Sequence, residues 1–165
     1  MHKRIYQITT SPVEAGEYIS VSNFDSLGFL ESVADYISDD IDRTYELGNL
    51  RESLEKSGAA AFDDDGSFLI LPSGKEAWFR ERYKEFNEVA RQAVTVSLEE
   101  FVRGGHCASL IEMFKIYYCD EYGAYVSSDE FSTMPLDEFI RDCEPGERYY
   151  IGGILEYGGV LDYNH

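Results

Sequence analysis

The sequence predicts an α+β fold, four or five helices packed on a small, mainly antiparallel sheet, from where its apolar residues recur and where its turn residues interrupt them. Helical spacing runs through residues 25–41, 47–56 and 74–94, while short β-rich stretches occupy much of the remainder. Pro12, Gly16, Gly58, Gly66, Gly104-Gly105 and Pro145-Gly146 divide the chain into short elements, and no linker or internal repeat separates them. With 165 residues, 44% of them hydrophobic, residues 1–165 are expected to form a single compact acidic domain with an ordinary core.

Residues 4–10 and 17–22 carry Ile5, Ile8, Tyr18, Ile19 and Val21 around Pro12 and Gly16, the pattern of a first hairpin. From Asp25 the period changes. Leu27, Leu30, Ala34, Ile37 and Ile41 step by three and four and share about 80° of a helical wheel, which predicts an amphipathic helix. Leu47, Leu50 and Leu54 define a second, shorter helix that Gly58 ends. Residues 60–71 read as two strands around Asp63-Asp64-Asp65-Gly66, with Gly66 supplying the positive φ of a tight turn.

Ser73-Gly74-Lys75-Glu76 matches a capping box, and the helix after it, Gly74 to Val94, is expected to be the longest and most central. Phe79, Tyr83, Phe86, Ala90 and Ala93 make its apolar stripe, so Phe79, Tyr83, Phe86 and Ala90 are expected to be mostly buried. Beside that stripe, Arg80, Lys84 and Arg91 neighbour Glu81, Glu85 and Glu88 as a locally ion-paired surface. A second capping box, Ser97-Leu98-Glu99-Glu100, opens a short helix that Gly104-Gly105 stops. Residues 108–119 suit a helix through Leu110, Ile111, Phe114 and Tyr118, but the β-rich run 113–119 before Asp120-Glu121-Tyr122-Gly123 suits a strand paired with residues 124–128, and the strand is the reading adopted. Pro135, followed by Asp137 and Glu138, starts a short helix, and residues 148–157 form a last strand in which Gly152-Gly153 marks a bulge.

Charge is the loudest feature. Against 32 Asp and Glu stand 14 Lys and Arg, a net charge of −18, which repels nucleic acid and anionic membranes and excludes direct binding to either. The charge is unevenly placed. Residues 1–73 hold 14 acids and 5 bases, residues 74–103 six of each, residues 104–119 one of each, and residues 120–165 eleven acids and 2 bases. Polar Gln7, Thr9, Thr10 and Ser11 interrupt any signal-peptide core. The odd set Cys107, Cys119 and Cys143 agrees with a reducing compartment, so a cytoplasmic protein without disulfides is expected.

Motifs for chemistry are sparse. Placing Gly66 at the sixth position of a calcium loop puts Ala61 and Pro72 where oxygen ligands are needed, so 63–66 is a hairpin tip. No Cys-x-x-Cys or His-x-x-x-His pair could nucleate zinc, and Cys107 beside His106 lacks a third group to orient a base. Neither a phosphate-binding glycine loop nor a nucleophile elbow is present. No cofactor and no catalytic residue is therefore assigned.

The candidate binding residues are Glu31, Asp35, Asp39 and Asp42, which on the expected 25–41 helix share one solvent-facing strip, with Glu31, Asp35 and Asp39 about 6 Å apart along the axis. That spacing is of the same order as phosphates along a nucleic acid. The expected function is a non-enzymatic acidic binding protein whose carboxylates engage a basic partner, in one form by imitating nucleic acid and so inhibiting a nucleic-acid-binding protein or nuclease. In charge and size, though in no numbered motif, the chain is similar to the DNA-mimic inhibitors of restriction and CRISPR nucleases encoded by mobile elements. The alternative is an interaction module with an aromatic face, given 13 Tyr and 10 Phe, and a homodimer is a separate partner alternative, in which Arg80, Lys84 and Arg91 anchor an acidic segment of a second copy. A hydrolase with a carboxylate-bound divalent metal is the third reading.

Overall fold

A computed structural model describes residues 3–25, 34–119, 124–127 and 133–158. The fold is α+β, with six helices and a seven-stranded mixed sheet among the described residues. The strands are β1 Lys3–Thr9, β2 Tyr36–Ser38, β3 Ala60–Phe62, β4 Phe68–Ile70, β5 Tyr125–Ser127, β6 Thr133–Pro135 and β7 Arg148–Gly158. Their order is β3-β4-β7-β1-β5-β6, with β2 also paired to β7. Only β1 and β5 run parallel; the other ladders are antiparallel. The helices are α1 Val21–Asp25, α2 Arg43–Lys56, α3 Gly74–Val94, α4 Leu98–Arg103, α5 Gly105–Cys119 and α6 Leu136–Asp142.

Alternation along β1 sorts the core into two faces. Tyr6 and Ile8, with Ile154 of β7 and Val126 of β5, meet Leu50 and Leu54 of α2 and Leu136 and Ile140 of α6. Ile5, Leu155 and Tyr157 point the other way and are covered by Ile19, Phe24 and Ala34. The expected bulge at Gly152-Gly153 is present, and it is what keeps β7 in phase. Register moves from Tyr6↔Ile154 to Ile8↔Ile151, so both glycines oppose Gln7 alone, and Ile151 and Ile154 face the same cluster despite odd spacing. Buried Gln7 completes the bulge. Its Oε1 accepts from Gly153 N at 2.7 Å and Ile19 N at 3.0 Å, its Nε2 donates to Glu17 O at 3.2 Å, and a Cβ at Gly152 would collide with that amide. Arg43, the first residue of α2, donates to the carbonyls of Gly152 and Ile151 at 2.7 and 2.9 Å.

The 60–71 hairpin, the Gly58 stop, the second capping box and the last strand stand as expected. The 4–22 hairpin does not form. Both edges of β1 are taken, by β7 and β5, so the following segment turns through a 3₁₀ turn at Ala15–Glu17 into α1 and covers the second face instead. The 25–41 helix is also corrected. Tyr36–Ser38 is a strand because β7 has one edge open at Glu156–Gly158, opposite β1, and Ile37 pairs there with Tyr157. Leu27, Leu30 and Glu31 lie outside the described residues. Ile37 packs on one core cluster and Ile41 on the other, so this segment carries the chain from one face of the sheet to the other.

Two further corrections concern residues 74–119. The long helix has the expected bounds but not the expected burial: only Gly74 and Val89 are buried, Phe79, Phe86 and Ala90 are half-buried, and Tyr83 is 67% exposed. Residues 108–119 are helix, not strand. Leu110, Phe114 and Tyr118 recur every four residues, and Phe114 and Tyr118 meet Phe86 of α3 at 5.0 and 6.2 Å, so packing on a helix overrides β propensity. The first capping box is not made. Ser73 has ψ 8°, whereas Ser97 has the extended ψ of 160° that turns a cap side chain onto the backbone amides; Ser73 makes no cap bond, and Ser97 Oγ accepts from Glu100 N at 3.2 Å.

Candidate functional site

Residues 74–119 form an arm of three helices joined to the body near one end. The joint is built on Asp137, buried in the first turn of α6. Its Oδ1 accepts from Trp78 Nε1 at 2.7 Å and Arg82 Nη2 at 2.8 Å, and Arg82 Nη1 pairs with Oδ2. Burial of such a carboxylate is sustained only by this paired, hydrogen-bonded setting. Lys75 Nζ donates to Arg141 O at 2.7 Å, and the Arg141 guanidinium lies 5.1 Å from the Phe79 ring and 5.7 Å from that of Tyr118. Beyond Arg82, α3 runs a further twelve residues to Val94, or about 18 Å at the helical rise.

The arm turns apolar side chains to solvent. α4 is amphipathic in sequence, with Leu98, Phe101 and Val102 on one stripe and Glu99, Glu100 and Arg103 on the other. Its apolar stripe is the outer one: Leu98, Phe101 and Val102 are 80%, 67% and 76% exposed, and no residue of α4 is buried. α5 carries only Glu112 and Lys115 as charges and is apolar around most of its circumference, a pattern expected of a helix enclosed on several sides. Only Leu110 of its described side chains is buried, while Ile111, Met113, Ile116 and Tyr118 are exposed.

Charge on the arm cancels locally. Lys84 pairs with Glu81 at 2.7 Å, Arg91 with Glu88 at 3.4 Å, Lys115 with Glu112 at 3.3 Å, and Arg103 with Glu99. The body holds the surplus of carboxylates, and where these are buried they are matched. Glu46 accepts from Arg4 Nη2 at 2.7 Å, and that hydrogen bond holds its carboxyl below the usual range; Arg4 also pairs with Glu156 at 3.0 Å. Burial, with Glu46 nearby, pushes the Tyr6 hydroxyl up to about 12.

The sequence-derived site residues are not brought together on a helical strip. Asp35 and Asp39 flank β2, separated by about 13 Å of extended chain, and Asp42 is the N-cap of α2, accepting from Tyr45 N at 3.1 Å. Glu31 lies outside the described residues. At the hairpin tip, Asp65 Oδ1 accepts from Ser67 N and Oγ, and Asp63 pairs with Arg148. Cys107 and Cys143 are free thiols, and burial raises the latter above its ordinary value. Among the described residues no three His, Cys, Asp or Glu converge as metal ligands, and no helix is long and apolar enough to cross a membrane.

The exposed stripe of α4 had a sequence signal, apolar residues at 98, 101 and 102 on a segment of no net charge, but the sequence does not tell which side of a short helix faces out. No family model, characterised protein or solved structure matches the chain.

Proposed function

We propose that this chain is a non-enzymatic, cytoplasmic binding protein that engages a basic protein partner, taking an apolar surface of that partner onto the arm while the acidic body attracts its Lys and Arg side chains. The observation that carries this reading is the α4 stripe, Leu98, Phe101 and Val102, turned to solvent on a neutral segment of a chain of charge −18. Neutrality removes long-range repulsion where contact is made, and the flanking charge of −9 on each side speeds encounter with a cation. The same charge opposes a second copy as the occupant. With Asp35, Asp39 and Asp42 on a strand edge and a cap, a phosphate-like helical array loses its geometric support, and the carboxylates act as a diffuse field.

The test uses an amphipathic peptide of about 18 residues, Leu on one face and Lys on the other, and its Glu-for-Lys counterpart. At about 0.15 M salt the Lys peptide should bind and the Glu peptide should not. The triple variant Leu98→Ser, Phe101→Ser, Val102→Ser should weaken binding at least about tenfold. Equal binding by wild type and triple variant overturns the reading. So does a wild-type dimer in sedimentation equilibrium that the triple variant dissociates, since a second copy would then own the surface.

A further inference from the structure

Cations are scarce in this chain, and nine of the fourteen Lys and Arg are ion-paired among the described residues. Arg43 is used on the carbonyls of the β7 bulge. Lys3, Lys75, Arg80 and Arg141 have no carboxylate partner among the described residues, and the last three line one cavity of about 470 Å³ where the arm meets the body, together with Glu76, Phe79 and Tyr83. Acids outnumber bases more than two to one, so three cations without a carboxylate partner around one cavity run against the composition; Lys75 and Arg141 donate to the carbonyls of Arg141 and Tyr118, and Arg80 makes no such bond among the described residues. Even Glu76, one turn before Arg80 on α3, makes no ion pair with it.

We propose that this junction cavity binds a small aromatic carboxylate. The volume falls in the range of small-ligand sites. The largely exposed Tyr83 ring offers an aromatic face, the Phe79 ring already holding the guanidinium groups of Arg141 and Arg82 at 5.1 and 5.2 Å, and Arg80, with Arg141 beside it, suits an oxyanion, Arg presenting a planar fork to a carboxylate, while Lys75 is held on the Arg141 carbonyl. The field of the body selects among anions. Repulsion by −18 grows with ligand charge, so a single carboxylate is admitted at less cost than a phosphate dianion or a polyphosphate. Lining comes from α3 of the arm and from Arg141 of α6, so an occupant touches both parts of the molecule. The inference does not depend on what docks at α4.

The experiment is calorimetric titration of the full chain with 2-naphthoate, its neutral isostere 2-naphthylmethanol, and adenosine monophosphate. Naphthoate should bind with Kd below about 1 mM, and the neutral alcohol at least about tenfold more weakly. Arg80→Gln removes an exposed, unpaired guanidinium and should weaken naphthoate about tenfold with an unchanged melting temperature. Arg103→Gln, far along the arm, should leave it unchanged. Equal affinity for naphthoate and the alcohol, tighter binding of adenosine monophosphate than naphthoate, no heat up to about 5 mM, or indifference to Arg80→Gln would each overturn the proposal.

Discussion

The body and the arm solve the placement of apolar side chains in opposite ways. In the body, sheet residues such as Ile5, Phe68, Ile70 and Leu155 are enclosed on both faces, and carboxylates dominate the exterior. In the arm, charges pair with one another along the helices, and the side chains left facing solvent include Leu98, Phe101, Val102, Ile111 and Ile116. The contrast teaches that net charge and apolar exposure vary independently along one chain. The −18 opposes association with copies and anions, while one segment, free of net charge, leaves apolar side chains on its surface.

The largest effect should come from the body core. Phe68→Ala should cost about 3–5 kcal/mol in a reversible denaturant melt, since its ring is enclosed and stacks at 5.0 Å on Phe62; a loss under about 1 kcal/mol would erase the distinction between body and arm. Next comes the joint. Asp137→Asn removes the buried carboxylate that pairs with Arg82, and a cost of about 2–4 kcal/mol is expected, accompanied by faster amide exchange through α3. Exchange confined to α6 would mean that the arm is held by other contacts.

Smaller and pH-dependent is the Arg4–Glu46 pair. Glu46 has its folded pKa depressed by the Arg4 hydrogen bond, so its stabilisation is complete above the ordinary carboxyl value of about 4.3 and is lost as pH falls through the lower folded value. Glu46→Gln should lower stability by about 1–2 kcal/mol at pH 7 and flatten the acid limb below about pH 4.5. An unchanged acid limb would assign that slope to other carboxylates. Smallest of all, the α4 triple variant to Ser should change stability by no more than about 0.5 kcal/mol per site, because those side chains face solvent already.

Local signals in the sequence were legible wherever local rules decide the outcome. The Asp63–Gly66 turn, the Ser97–Glu100 box, the bounds of the 74–94 helix and the paired glycines of β7 follow from residue type and spacing. What sequence reading missed depends on which partner is available in space. Leu27 to Ile41 has a helical period, yet Ile37 pairs as a strand because Glu156–Gly158 has an open edge. Residues 113–119 have β-rich composition, yet Phe114 and Tyr118 meet Phe86 of α3. The stripe of the 74–94 helix is genuine, but only its start, Phe79, packs on the body core and Phe86 meets another helix, so Tyr83 stays outside. Orientation of α4 and convergence of Lys75, Arg80 and Arg141 leave no periodic trace, since the first depends on a turn at Gly104 and the second on the approach of α6.

Hydrogen–deuterium exchange of the intact chain, alone and saturated with the Leu/Lys peptide, tests most directly whether the neutral arm is the contact surface. Protection should appear in residues 94–118 and be absent along 35–42 of the body, and it should vanish in the α4 triple variant. Protection centred on 35–42, or protection of 94–118 that survives the triple variant, would contradict the account.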